Sequence, residues 1–216
     1  MSTNSTRHLI LALLAGSVLV VLCYFFVDRP LAWFLHTHRF YPDEFLRWPE
    51  RASAGLAYCA IAGMAGVVAW RIWRPGGYLQ RLLLVIAANL VATEILKDLL
   101  KGLFGRSWPE NWIKNNPSLI SDGVYGFHFF CFDKAYASFP SGHAAVAFAV
   151  VSILWICQPR WRGLYVAAAG MVCLALVGLN FHYLGDVIAG AMLGSTTGLC
   201  AIRIFGLAPI NPSPSA

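Results

Sequence analysis

The chain has 216 residues, of which 58% are hydrophobic and only 12% charged. Soluble domains carry about 25% charged residues, so roughly half that share leaves too little polar surface for a water-solvated globule and makes a membrane the natural solvent. The formal net charge of +6 does not indicate nucleic acid, because the basic residues punctuate apolar segments instead of forming a solvated stripe.

A bilayer core of about 30 Å takes roughly 20 apolar residues per helix. By that measure the expected spans are Leu9 to Val27, Ala52 to Trp70, Leu79 to Leu96, Ala144 to Cys157, Leu164 to Phe181 and Val187 to Phe205. The fourth reaches adequate length when extended back through Ser141. The fold class this predicts is an all-α integral membrane protein, a bundle of about six transmembrane helices forming one membrane domain over residues 1–216. The first span begins with Arg7 and His8 as a signal peptide would, but Phe25-Phe26-Val27-Asp28 offers no small-residue cleavage site, which favours a retained helix. Tyr41-Pro42-Asp43-Glu44 suggests the start of a short interfacial helix, and residues 209–216 read as a disordered tail.

Short basic loops set orientation. Arg71, Arg74 and Arg81 follow span two, Arg160 and Arg162 follow span four, and Arg7 and Arg203 mark the termini on that side. Both termini are therefore expected in the cytoplasm, with the 105–140 loop on the outer face. That corresponds to a multi-pass cell membrane protein, a bacterial inner membrane being the expected setting, whose site faces the periplasm or exterior. Five cysteines lie in apolar runs and only Cys131 falls in a polar loop, so they read as packing residues.

Three polar clusters interrupt this apolar chain. The first is Glu94, Lys97, Asp98, Lys101 and Arg106, with the first four along one helical face. It is either a structural ion-pair ladder or, at Lys101 and Arg106, an anion site. The second is Phe139-Pro140-Ser141-Gly142-His143, a helix-start signal before an apolar run. Free N–H groups and a positive dipole end favour an anion there, and a histidine in the first turn could hand it a proton. The third is His182-Tyr183-Leu184-Gly185-Asp186, where spacing of four lets Asp186 hold one imidazole nitrogen. A capping aspartate beside an interfacial histidine is the plainer alternative. With six spans all three clusters emerge on one side of the membrane, which favours a single polar site. His128 and Asp133 lack metal-ligand spacing.

These residues resemble the type 2 phosphatidic acid phosphatase superfamily, which includes vanadium haloperoxidases. Its pattern is a Lys followed after six residues by Arg-Pro, then Pro-Ser-Gly-His, then Ser-Arg followed after five residues by His-x-x-x-Asp. Pro140-Ser141-Gly142-His143 matches the second part, and His182 with Asp186 matches the end of the third. Two arginines are missing, because Trp108 follows Lys101 and Ala175-Leu176 precedes His182. The resemblance implies His182 as nucleophile, His143 as general acid and Asp186 as orienter. Lys101 would bind phosphate with Ser141 and Gly142, Arg106 standing in for a missing arginine and Lys97 and Asn180 as weaker candidates. It implies no metal and no cofactor.

The implied activity is hydrolysis of a lipid phosphomonoester or diphosphate in the bilayer, such as a polyprenyl diphosphate, phosphatidylglycerol phosphate or lipid A. Two alternatives remain open, a lipid-to-lipid phosphotransferase and a non-catalytic lipid-binding member.

Overall fold

A computed structural model describes residues 3–38, 63, 66, 70, 76–112 and 116–207. The second expected span, apart from Gly63, Gly66 and Trp70, lies outside these residues, as do the interfacial helix at Tyr41–Glu44 and the 209–216 tail. Among the described residues the regular elements are helices, joined in the long loop by isolated β-bridges. We number them α1 (Thr3–Leu22), α2 (Asp28–Thr37), α3 (Tyr78–Phe104), α4 (Leu119–Asp122), α5 (Gly142–Cys157), α6 (Arg162–Gly178) and α7 (Leu184–Phe205). The first helical run and α7 are long and apolar enough to cross a membrane, as is α6 with the 3-10 turn before it, and α5 is a shorter apolar helix. The chain is an all-α integral membrane protein.

Two helices run past their expected ends. The first does not stop at Val27, because one π-helical turn, Cys23–Val27, joins α1 to α2 and carries the helix on to Thr37. The π turn lies just before Pro30, which has no N–H to give to the preceding turn. Helix α3 continues to Phe104, beyond Leu96. Three of its charges are paired internally, with Lys97 Nζ 2.6 Å from Glu94 and 3.1 Å from Asp98. Gly105 ends α3 in the left-handed conformation, φ 54°, and a side chain there would strike the His128 carbonyl oxygen.

Helices α5 and α7 form the closest pair. Gly190, Gly194 and Gly198 lie one turn apart on α7, and each places its backbone where a Cβ would collide with α5. At Gly194 the collision is with backbone, the carbonyl oxygen of Ala145 and the nitrogen of Ala149. Small residues at this spacing let membrane helices approach until backbone meets backbone, where dispersion contacts are densest. Polar side chains tie in α3, with Asn89 Nδ2 donating to the Ala149 carbonyl at 3.2 Å and Thr93 Oγ1 2.8 Å from Thr197 Oγ1. Gly16 brings α1 against Met192 of α7.

The core divides into two ends. Leu82, Val85, Ile153, Cys157, Ala201 and Leu207 pack at the end where α3 begins and α5 and α7 finish. There Arg81 Nη2 donates to the Phe205 carbonyl at the C-terminus of α7. Trp108, Ala144, Leu176, Phe181 and Val187 pack at the opposite end, where α5 and α7 begin. The outward faces carry lipid-compatible side chains such as Leu14, Phe26, Met171 and Ile204.

Gly194→Ala should destabilise the folded protein by about 1–3 kcal/mol, the cost of overpacking. Gly163→Ala, whose Cβ would meet nothing within 4 Å, should be neutral or stabilising by about 0.5–1 kcal/mol. Denaturation of both variants in detergent measures the contrast.

Candidate active site

The close approach of α5 and α7 fixes their N-termini side by side. Ser141 caps α5, its hydroxyl accepting from the Ala144 amide, while its own backbone N–H donates to the Asp186 carbonyl at 3.0 Å. This one bond joins the Pro-Ser-Gly-His segment to the His-x-x-x-Asp segment. The Ser141 amide is thus engaged with α7. Gly142 lies against the stem of Lys97, whose Cδ would be 2.9 Å from an added Cβ.

His143 and His182 face the same space, with ring centroids 6.5 Å apart and Phe181 against both. His182 is buried, 2% exposed, and its Nδ1 lies 3.5 Å from Asp186 Oδ2. The gap is bridged by Ser138, whose hydroxyl donates to Asp186 Oδ2 at 2.6 Å and lies 3.5 Å from His182 Nδ1. Ser138 was not among the residues singled out from sequence. Its only signal there is its place two residues before Pro140, and its partner is 48 residues away. Burial pushes the His182 imidazole below the ordinary histidine value, against the opposing pull of Asp186.

Arg106 does not line an open pocket. It has no exposed surface, and its guanidinium is divided between two buried carboxylates, Nη1 to Asp186 Oδ1 at 2.5 Å and Nη2 to Asp28 Oδ2 at 2.7 Å. Tyr125 accepts from Nη2 at 3.1 Å. The rings of Tyr24, Tyr125, Phe127 and Tyr183 surround the cation, the nearest centroid being 4.2 Å away. Burial works against its charge, but Asp186 and Asp28 override that and hold the pKa above the usual arginine value. The loop backbone fixes this position from both sides, through bridges from Arg106 to Phe127 and Ala137.

Asn180 also sits away from any pocket, because its amide donates to the Ala32 carbonyl at 3.1 Å and to Glu110 Oε1 at 3.0 Å. Lys97 is held by Glu94 and Asp98. Lys101 reaches the site: its Nζ donates to the Ala137 carbonyl at 2.5 Å and lies 5.6 Å from the centre of the Trp108 ring. Among the described residues no carboxylate pairs with it within 4 Å.

Trp108 and Leu176, which replace the two arginines, both belong to the apolar cluster at this end. The Trp108 ring is buried, 5.2 Å from the His182 ring, so it is a wall of the site. Phe129 and Phe130 are exposed on the loop. His128 packs on Tyr136, 4.4 Å between ring centres. Among the described residues no three His, Cys, Asp or Glu side chains gather to hold a metal.

The fold and site define a membrane-embedded helical bundle in which two imidazoles from separate helix junctions meet at one end, one of them beside a buried carboxylate. Residues 79–208 match the model of the PAP2 superfamily, and the chain belongs to that superfamily. It is 30% identical over 117 residues to a lipid A 1-phosphatase of Rhizobium johnstonii, covering 54% of this chain and 45% of the relative. A lipid A 1-phosphatase of Rhizobium etli is 29% identical over 117 residues, covering 54% of this chain and 47% of the relative. The chain therefore matches just under half the length of these curated relatives. No solved structure matches.

Arg106→Ala should strand two buried carboxylates and cost about 3–5 kcal/mol, the usual penalty for removing one member of a buried ion pair. Thermal unfolding in detergent measures it, and a loss below about 1 kcal/mol would contradict the burial described for this cation.

Proposed function

We propose that the protein removes phosphate from a membrane lipid through a phosphohistidine intermediate on His182. The observation that carries this reading is the pairing of two imidazoles 6.5 Å apart, with Asp186 beside Nδ1 of one of them. Held by Nδ1, His182 directs Nε2 at phosphorus. The N–P bond forms as the bond from phosphorus to the lipid oxygen breaks, and His143 gives its proton to that oxygen. Water then attacks phosphorus, His143 takes its proton, and the N–P bond breaks to release inorganic phosphate.

Burial keeps the free His182 imidazole neutral and able to attack, while Asp186 stabilises the positive charge the ring gains when the N–P bond forms. Lys101 and the N-terminus of α5 supply positive potential for the phosphate oxygens. Arg106 acts at one remove, holding Asp186. No metal enters this chemistry.

The names of the Rhizobium relatives make the 1-phosphate of a lipid A-type glycolipid the first substrate to test. Polyprenyl diphosphate and phosphatidylglycerol phosphate follow. The site is proposed to face the periplasm or exterior with both termini cytoplasmic. Supporting this, Arg81, Arg160, Arg162 and Arg203 lie at helix ends opposite the histidines.

A screen of these lipid phosphates should find one from which purified protein releases inorganic phosphate. His182→Ala should abolish that release, and His143→Ala should reduce it by about 100-fold or more, the usual scale of general acid catalysis. Retention of full activity by both variants rejects the mechanism, and turnover that depends on an added lipid acceptor identifies a phosphotransferase.

Lys101→Met should lower turnover by about tenfold or more, the effect of one charge-assisted contact, whereas Lys97→Met should change it little. Equal losses would remove Lys101 from the phosphate site.

A further inference from the structure

Asp28 lies on the first helical run, outside the 79–208 segment that matches the superfamily. It is buried, 1% exposed, at the start of α2 and reaches the site twice. Its Oδ2 takes an N–H of Arg106 at 2.7 Å, and its Oδ1 accepts from the Gly185 backbone N–H at 3.0 Å, one residue before Asp186. Cys23, Tyr125 and Tyr183 are its other titratable neighbours.

We propose that Asp28 is a positioning residue for the nucleophile: by sharing Arg106 with Asp186, it keeps the Asp186 charge available to the His182 imidazole. The inference rests on His182 being the nucleophile. The charge count carries it. One guanidinium sits between two carboxylates, so the set of Asp28, Arg106 and Asp186 holds one net negative charge. That charge faces His182 through Asp186 Oδ2, the oxygen Arg106 does not touch. Without the Asp28 charge the same set is neutral, because Arg106 is left with Asp186 alone.

The remaining groups around His182 do not replace that charge. Lys101 from α3 repels a protonated imidazole, and His143 comes from α5. The loop presents Trp108 and Ser138, which carry no charge. Asp186 is thus the anion that supports the nucleophile, and its effective charge depends on a residue 158 positions earlier.

The test follows His182 directly. Full-length protein labelled with 15N-histidine is titrated in detergent micelles, with the His182 signal assigned by its loss in His182→Ala. Asp28→Asn should lower the imidazole midpoint by about one pH unit, the low end of the effect of a lost opposite charge. It should also reduce kcat with KM nearly unchanged. A midpoint equal to that of the wild type overturns the proposal, leaving Asp28 as an anchor for the first helix.

Should Asp28→Asn fail to fold, Asp28→Asn combined with Arg106→Gln removes both charges together. The set then again holds one net negative charge, now on Asp186 alone, so the His182 midpoint should return to the wild-type value or above it. A midpoint about one pH unit below wild type overturns the proposal. Phosphate release by His182→Ala would instead defeat the nucleophile assignment, whatever Asp28→Asn does.

Discussion

The site is organised by one buried cation. A guanidinium with no exposure forfeits its hydration, and in a low-dielectric interior that loss is offset only by close charges and hydrogen bonds. Arg106 finds two carboxylates, a tyrosine hydroxyl and a cage of aromatic rings. Because the carboxylates come from α2 and α7 and the arginine from the loop after α3, satisfying this charge requires three parts of the chain to meet. The loop then has little freedom. Arg106 is bridged on both sides, and Ser138, whose amide donates to the Arg106 carbonyl, presents its hydroxyl to Asp186.

Helix packing supplies the other half. Gly190, Gly194 and Gly198 bring α7 onto α5, so that the Ser141 amide reaches the Asp186 carbonyl. His143 and His182 are then in register because the helix starts beneath them are. A wider α5–α7 separation would move the rings apart without altering either motif. The small-residue seam is therefore part of the site, though none of its glycines belongs to the three motifs.

Much of this was legible in the sequence, and the misplaced parts have a common cause. Apolar runs located the described spans, and the motifs picked out the two histidines and Asp186 that the structure brings together, because both signals are local. Charged residues at Asp28 and Glu94 to Lys101 marked apparent span ends, yet both helices continue through them. Lys97 finds its acids within one turn, which spacing alone suggested. Asp28 and Asp186 lie 78 and 80 positions from Arg106, so hydropathy could not pair them. Arg106 therefore read as a spare cation near a missing one, and Asn180 as a pocket donor, when each is already engaged. The Gly190-x-x-x-Gly194-x-x-x-Gly198 spacing was present in the sequence as a helix-packing signal.

The two absent arginines are replaced together. Trp108 and Leu176 come from different parts of the chain yet join one apolar cluster with Phe181 and Val187. The cluster gives the site an apolar wall against the His182 ring. Charge neutralisation then falls to fewer donors in a medium where each acts more strongly, since attraction scales inversely with the local dielectric. On the proposed mechanism Lys101 is the principal remaining cation, because the other buried one is held by Asp28 and Asp186. A phosphate entering such a site gains less from direct ion pairing than in an arginine-rich pocket. On that mechanism binding draws more on the lipid portion of the substrate, whose apolar surface leaves water when it enters the site.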